Sequence, residues 1–203
     1  MVSANNKTRF YFVGGINGSG KSTILKELTK TEKKVKIIHG SVYFMRWLGL
    51  KNGDYNTLRS LDDVFVLKEL DKMMNFLIKN PSFDANLIIF NAHYLNIRYG
   101  KAIKWIGDWM RLMDGLFLIK SNPQIILQRL NNDLKKTKRD RNLFSQNANY
   151  VKKIKFLSFC NNKSEIIIKK LSKNFNIPYF IINNKDILKT IRSFKKHIKG
   201  LEV

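Results

Sequence analysis

The stretch RFYFVGGINGSGKSTILKEL, residues 9–28, joins an aromatic, β-branched run to a helix-like one through four glycines. Phe10, Tyr11, Phe12 and Val13 are too few for a helix and end at glycine, the pattern of a buried strand. Beyond the glycines, Ile24, Leu25 and Leu28 share one helical face. Between the two, Gly15-Ile16-Asn17-Gly18-Ser19-Gly20-Lys21-Ser22 fits G-x-x-x-x-G-K-[ST], in the strand-before, helix-after context that this P-loop pattern requires. Glycines let backbone N–H groups come close to phosphate oxygens, and the helix N-terminus adds its dipole. The pattern predicts a nucleoside triphosphate site built from Gly15, Asn17, Gly18, Ser19, Gly20, Lys21, Ser22 and Thr23. Lys21 is expected to stand exposed there and reach the β- and γ-phosphates of ATP, with the Ser22 hydroxyl as a ligand to Mg²⁺.

The rest of the chain limits what can surround such a site. Its 203 residues suffice for one α/β core, and residues 1–203 are read as a single domain. No apolar run approaches the roughly 18 residues of a membrane span, and the first ten residues lack the apolar centre of a signal peptide. The single cysteine, Cys160, excludes an internal disulfide and fits a reducing compartment, so a cytoplasmic protein without membrane contact is expected. Cys160 lies among Phe156, Leu157 and Phe159, which makes it a packing residue. Trp47, Trp105, Trp109, Met73 and Met74 recur at helical spacing and are read as core.

Net charge is the outlying quantity, at +23. Residues 134–203 contribute +14 of it, against +9 from residues 1–133. RNA or a ribonucleoprotein bound through the basic C-terminal part is one reading; a lysine-heavy composition spread over a solvated surface is the other.

Strands alternate with helices along the chain. Further strands are predicted at residues 35–38, 86–90, 116–119 and 179–182, and helices at 42–50, about 61–79, 101–113, from Pro123 onward, 143–175 and at the C-terminus. Asn122 before Pro123 is a helix-start signal. The segment KNGDYN, residues 51–56, reads as a loop. This alternation implies an α/β fold, a P-loop NTPase three-layer sandwich with a five-stranded parallel sheet and ligands at the carboxyl ends of its strands.

Several later segments resemble archaeal-type adenylate kinases, within the wider group of P-loop nucleoside monophosphate kinases. Tyr55-Asn56-Thr57-Leu58-Arg59 stands where that family has R-D-x-M-R, and Asn91-Ala92-His93 where it has D-T-H. Met113-Asp114 resembles its P-D, and residues 121–129 followed by Asp133 resemble its A-x-P-x-x-I-x-x-R and acid. Asp133 to Asp140 is similar to its arginine-rich lid with one extra residue, and Asn183 to the asparagine that ends its last strand. The resemblance implies ATP-dependent phosphoryl transfer to a nucleoside monophosphate or related small acceptor, with a short lid at about residues 134–144. It implies Lys21, Arg139 and Arg141 as catalytic cations and Arg59, His93 and Arg129 at the substrate. The residues themselves leave alternatives: Arg129 either clamps phosphate or pairs with Asp133 four residues on, Arg59 is either a bidentate grip or solvated, and His93 is either structural or near substrate. Asn91 departs from the family, which has there an aspartate that holds the water shell of Mg²⁺. The loop GGINGSGKST also resembles that of zeta-toxin kinases, which implies an amino-sugar acceptor instead.

Overall fold

The computed structural model describes residues 8–81, 85–137 and 141–200. Its strands are β1 (Arg9–Gly14), β2 (Val35–His39), β3 (Leu87–Asn91), β4 (Leu95–Arg98), β5 (Lys101–Lys104), β6 (Gly115–Lys120) and β7 (Tyr179–Asn183). Its α-helices are α1 (Lys21–Thr31), α2 (Gly40–Trp47), α3 (Tyr55–Ser60), α4 (Asp63–Lys79), α5 (Pro123–Thr137), α6 (Tyr150–Phe175) and α7 (Ile187–Gly200). Five strands form one parallel sheet in the order β2-β3-β1-β6-β7, as the α/β reading requires.

Both faces of this sheet are covered, so its central strands are apolar almost throughout. Phe10, Phe12, Ile88, Phe90, Leu116 and Leu118 pack on one face with Phe44 and Met45 of α2, Met73 and Met74 of α4, and Leu157, Cys160 and Ile168 of α6. Tyr11, Val13, Ile89, Phe117 and Ile119 face the other way, onto Ile24, Leu25 and Leu28 of α1 and Phe194 and Ile198 of α7. The alternation follows from the two-residue period of a strand. Burial pushes the Cys160 thiol up to about 12, consistent with a packing role. Among the described residues no helix is long and apolar enough to cross a membrane.

Three segments depart from expectation. Residues 101–113 are not one helix. β4 and β5 form an antiparallel hairpin through Tyr99 and Gly100, with φ of 46° and 78°, and a short 3-10 helix follows at Asp108–Leu112. Two consecutive positive φ values make the tight turn whose twist matches a hairpin. Residues 143–149 do not extend α6, which starts where the Asn149 side chain accepts the Lys152 N–H. Tyr55 and Asn56 belong not to a loop but to α3, capped by the Asp54 carboxylate accepting from the Thr57 N–H.

Parallel strands put Gly14, His39, Asn91, Lys120 and Asn183 at one edge of the sheet. Asp114 lies at the opposite edge, where its carboxylate accepts the Phe10 N–H. At the exit of β1, a Cβ on Gly14 would come within 2.2 Å of the ring of Tyr94. That ring is fully buried and donates its hydroxyl to the Phe117 carbonyl at 3.0 Å, so it cannot move aside cheaply. Gly14→Ala is therefore expected to cost about 2 kcal/mol, in the range of overpacked cores, in urea unfolding. Gly49→Ala, which meets nothing within 4 Å, should cost less despite its φ of 71°. Equal costs for the two would contradict this packing at the exit of β1.

Candidate functional site

Four side chains hold the loop between β1 and α1 by its carbonyl oxygens. Lys21 Nζ donates to Gly15 O at 2.7 Å and Ile16 O at 3.1 Å. His93 Nδ1 donates to Gly15 O at 2.6 Å, Arg129 Nη1 to Gly18 O at 3.2 Å, and Asn184 Nδ2 to Ser19 O at 2.9 Å. These bonds, with the Ser19 N–H donating to Ile16 O at 3.2 Å, fix the path of the loop. Gly20, at φ 93°, has no room for a side chain, since a Cβ would lie 2.2 Å from Asn184 Nδ2.

The cleft so formed has a volume of about 470 Å³. Asn17, Gly18, Gly20, Lys21, Ser22 and Thr23 line it together with His93, Arg129, Asp133 and Arg141. Gly15 and Ser19 stand behind its wall; Ser19 is fully buried. Lys21 is not exposed as expected but 6% exposed, folded onto the loop carbonyls. Burial, with Arg141 nearby, pushes its amine down to about 7. Burial and the neighbouring Lys21 lower His93 to about 3, so it is a neutral ring.

The open alternatives resolve in part. Arg129 does not pair with Asp133; it holds the loop at Gly18. Asp133 instead receives Arg141, through Nε at 3.1 Å and through Nη2. Of the expected lid segment, residues 134–137 form the end of α5, and Arg139 lies outside the described residues. Asn183, at the end of β7, is exposed, and its neighbour Asn184 reaches the loop.

A second, narrower cleft of about 120 Å³ adjoins the first and shares Asn17, His93 and Arg141 with it. Arg59 from α3 and Arg98 from β4 line it, with Tyr55, Ser41, Asn96 and Trp105. The Arg98 guanidinium bonds to the Arg59 carbonyl and lies 5.9 Å from the centre of the Trp105 ring. Beneath it an apolar cavity of about 80 Å³ opens between Phe12, Phe44, Phe90, Trp105 and Trp109. Arg98 and Asn184 carry no signal in the sequence reading, whereas Trp105, read as core, packs half-buried against it and also lines both cavities; the Tyr99-Gly100 turn is the available signal for the hairpin that carries Arg98.

Asn91 comes beside Ser22. Its Nδ2 lies 3.3 Å from Ser22 Oγ and 3.1 Å from His39 Nδ1. Among the described residues no cluster of three or more His, Cys, Asp or Glu side chains could hold a metal. The Ser22 hydroxyl is a hard oxygen donor opening the cleft, so it fits Mg²⁺ that arrives bound to phosphate oxygens, with one protein ligand.

The fold is similar to that of two solved shikimate kinases. One, from Bacteroides thetaiotaomicron, superposes with a TM-score of 0.62 at 16% identity, covering 94% of this chain and 98% of that one. The other, from Acinetobacter baumannii and in complex with shikimate, gives 0.62 at 11% identity over 97% and 96%. Both are named as kinases, and neither as an adenylate kinase. No family model and no curated protein matches the sequence. At these identities the likeness establishes the fold: an α/β, P-loop architecture around a five-stranded parallel sheet.

Two consequences follow from the buried Lys21. Its amine has a folded-state pKa below the unfolded 10.5, so the folded chain disfavours its proton. That penalty is complete below pH 7 and fades as pH rises towards 10.5. Lys21→Met is expected to raise the melting temperature of the ligand-free protein, more at pH 6.5 than at pH 10, while abolishing ATP binding. Phosphate favours the protonated amine, so ATP affinity of the wild type should fall by up to about tenfold per pH unit above 7, with proton uptake seen as buffer-dependent heat. A pH-independent affinity, or a variant that still binds ATP, would contradict the assignment.

Proposed function

We propose that this protein is an ATP-dependent phosphotransferase that moves the γ-phosphoryl group to a small anionic acceptor, a nucleoside monophosphate or a related phosphate ester. The observation that carries this reading is the meeting of two clefts at Asn17, His93 and Arg141. One is floored by a P-loop and Lys21; the other is flanked by arginines. A triphosphate in the first would point its terminal phosphate at whatever occupies the second.

Phosphoryl transfer spreads charge over the transferred oxygens, so cations and positioning supply most of the catalysis. Lys21 leaves the Gly15 and Ile16 carbonyls for the phosphates, and Arg141 exchanges Asp133 for the transferred group. Arg139 would join it from the segment after α5. Arg129 and His93 keep the loop in shape. The Ser22 hydroxyl would be a ligand to Mg²⁺, which when bound would neutralise phosphate charge. Arg59 and Arg98 grip the acceptor's anionic group, a task suited to planar guanidinium.

An acceptor alcohol needs a base to take its proton, whereas a phosphate ester arrives ionised. The described residues lining the acceptor cleft include no carboxylate. His93, with its pKa at about 3, is a weak base. Both points favour a phosphate ester over the hydroxyl of an amino sugar.

A second reading, a basic NTPase whose nucleotide state regulates RNA or ribonucleoprotein binding, draws on the outer face of α6. There Lys152, Lys155, Lys170 and Lys173 are exposed around Phe159 and Ile166, themselves 51% and 55% exposed. Lys195, on α7, is by contrast engaged by Glu32.

Labelled ATP offered to nucleoside monophosphates, other phosphate esters, alcohols and amino sugars tests the first reading. Label should enter a phosphate ester. Arg98→Ala should raise that acceptor's KM by about tenfold or more, the size of a charge-assisted pair, with ATP binding unchanged. Label entering only amino sugars would overturn the acceptor class. RNA retention that falls with salt at a slope of about −0.7 per phosphate contact, together with no acceptor phosphorylation, would favour the second reading.

A further inference from the structure

His39, Asn91 and Ser22 meet where a cation accompanying the triphosphate would be held. Parallel register places His39 beside Asn91 at the ends of β2 and β3. The Asn91 amide lies within hydrogen-bond distance of both the His39 ring and the Ser22 hydroxyl. Asn91 is 8% exposed, which holds the amide in place. As drawn, its N–H bonds face Ser22 Oγ and so present the positive end of the amide dipole. Turned over, the amide would present Oδ1 and need a proton on His39 Nδ1. In either orientation this wall carries no negative charge to hold water around a divalent cation.

The rest of the cleft is net cationic, and an entering anion would favour the charged form of Lys21. Lys21, Arg129 and Arg141 line it, and Asp133, the one carboxylate among its described lining residues, is already paired with Arg141. Free ATP at neutral pH carries about two more negative charges than its magnesium complex. Cationic surroundings reward those charges, and an Asn91–His39 wall without a carboxylate does little to recover the metal.

We propose that the P-loop cleft binds the triphosphate in its metal-free form more tightly than as the magnesium complex, with the cation a separate, weakly held ligand whose affinity Asn91 and His39 set. This rests on the triphosphate reading of the cleft and adds the charge form of the ligand. Metal would then report on a protein already loaded with nucleotide.

Calorimetric titration of ATP into the full chain, in EDTA and in excess Mg²⁺, tests this without reference to turnover. The wild type should bind about tenfold more tightly in EDTA, the effect of roughly one favourable charge interaction. Asn91→Asp, nearly isosteric, should reverse the preference by weakening the EDTA form and strengthening the magnesium form. His39→Asp, at an exposed position, should shift the ratio in the same direction. Tighter wild-type binding in Mg²⁺, or a ratio unmoved by both variants, overturns the proposal while leaving a triphosphate site intact. Absence of ATP binding in both conditions overturns the triphosphate reading itself.

Discussion

Everything at the site depends on loop carbonyls being held from outside the loop. Gly15, Gly18 and Ser19 each give a carbonyl oxygen to a side chain far along the chain: His93, Arg129 and Asn184. A glycine-rich segment has the most backbone freedom to lose on folding, so its shape must be imposed by its surroundings. Here three elements impose it: the segment after β3, the body of α5 and the turn after β7. The parallel sheet makes this feasible, because it brings those segments to one edge. Lys21 adds bonds to Gly15 and Ile16 from within the motif.

The same arrangement stores an energetic cost for function. A lysine buried among polar carbonyls, near Arg141, is a poor choice for stability, and its lowered pKa records that. The cost is offset when an anion enters and the lysine regains an opposite charge. Asp133 plays a matching part by holding Arg141 at the cleft. Both cations thus stand at the cleft, each engaged by a protein partner that an incoming anion would have to displace.

How much of this was legible in the sequence follows from the range of each interaction. The P-loop is a local pattern, and residues 9–28 form strand, loop and helix as the spacing requires. The five sheet strands are buried apolar runs, and they too are local signals. Asn184 contacts Ser19 across 165 positions, and nothing near either residue encodes that pairing. The family resemblance points to its neighbour Asn183, at the end of β7, but the side chain that turns inward is that of Asn184. Residues 101–113 misled because Ala102, Ile103, Ile106, Trp109 and Met110 suit a helix face, whereas the Tyr99-Gly100 turn commits the chain to a hairpin. That error hid Arg98, which lines the second cleft. His39 showed no partner pattern in sequence, because its partner Asn91 lies on the neighbouring strand.

A loop tied back by His93, Arg129 and Asn184 is expected to act as a triphosphate cradle. Backbone amide chemical shifts recorded while a non-hydrolysable ATP analogue is added test it most directly. The largest shifts are expected at Asn17 through Thr23, with smaller ones at His93 and Asn184, whose side chains bond to the loop. Shifts confined to the lysine-rich faces of α6 and α7, or none at the loop, would contradict it.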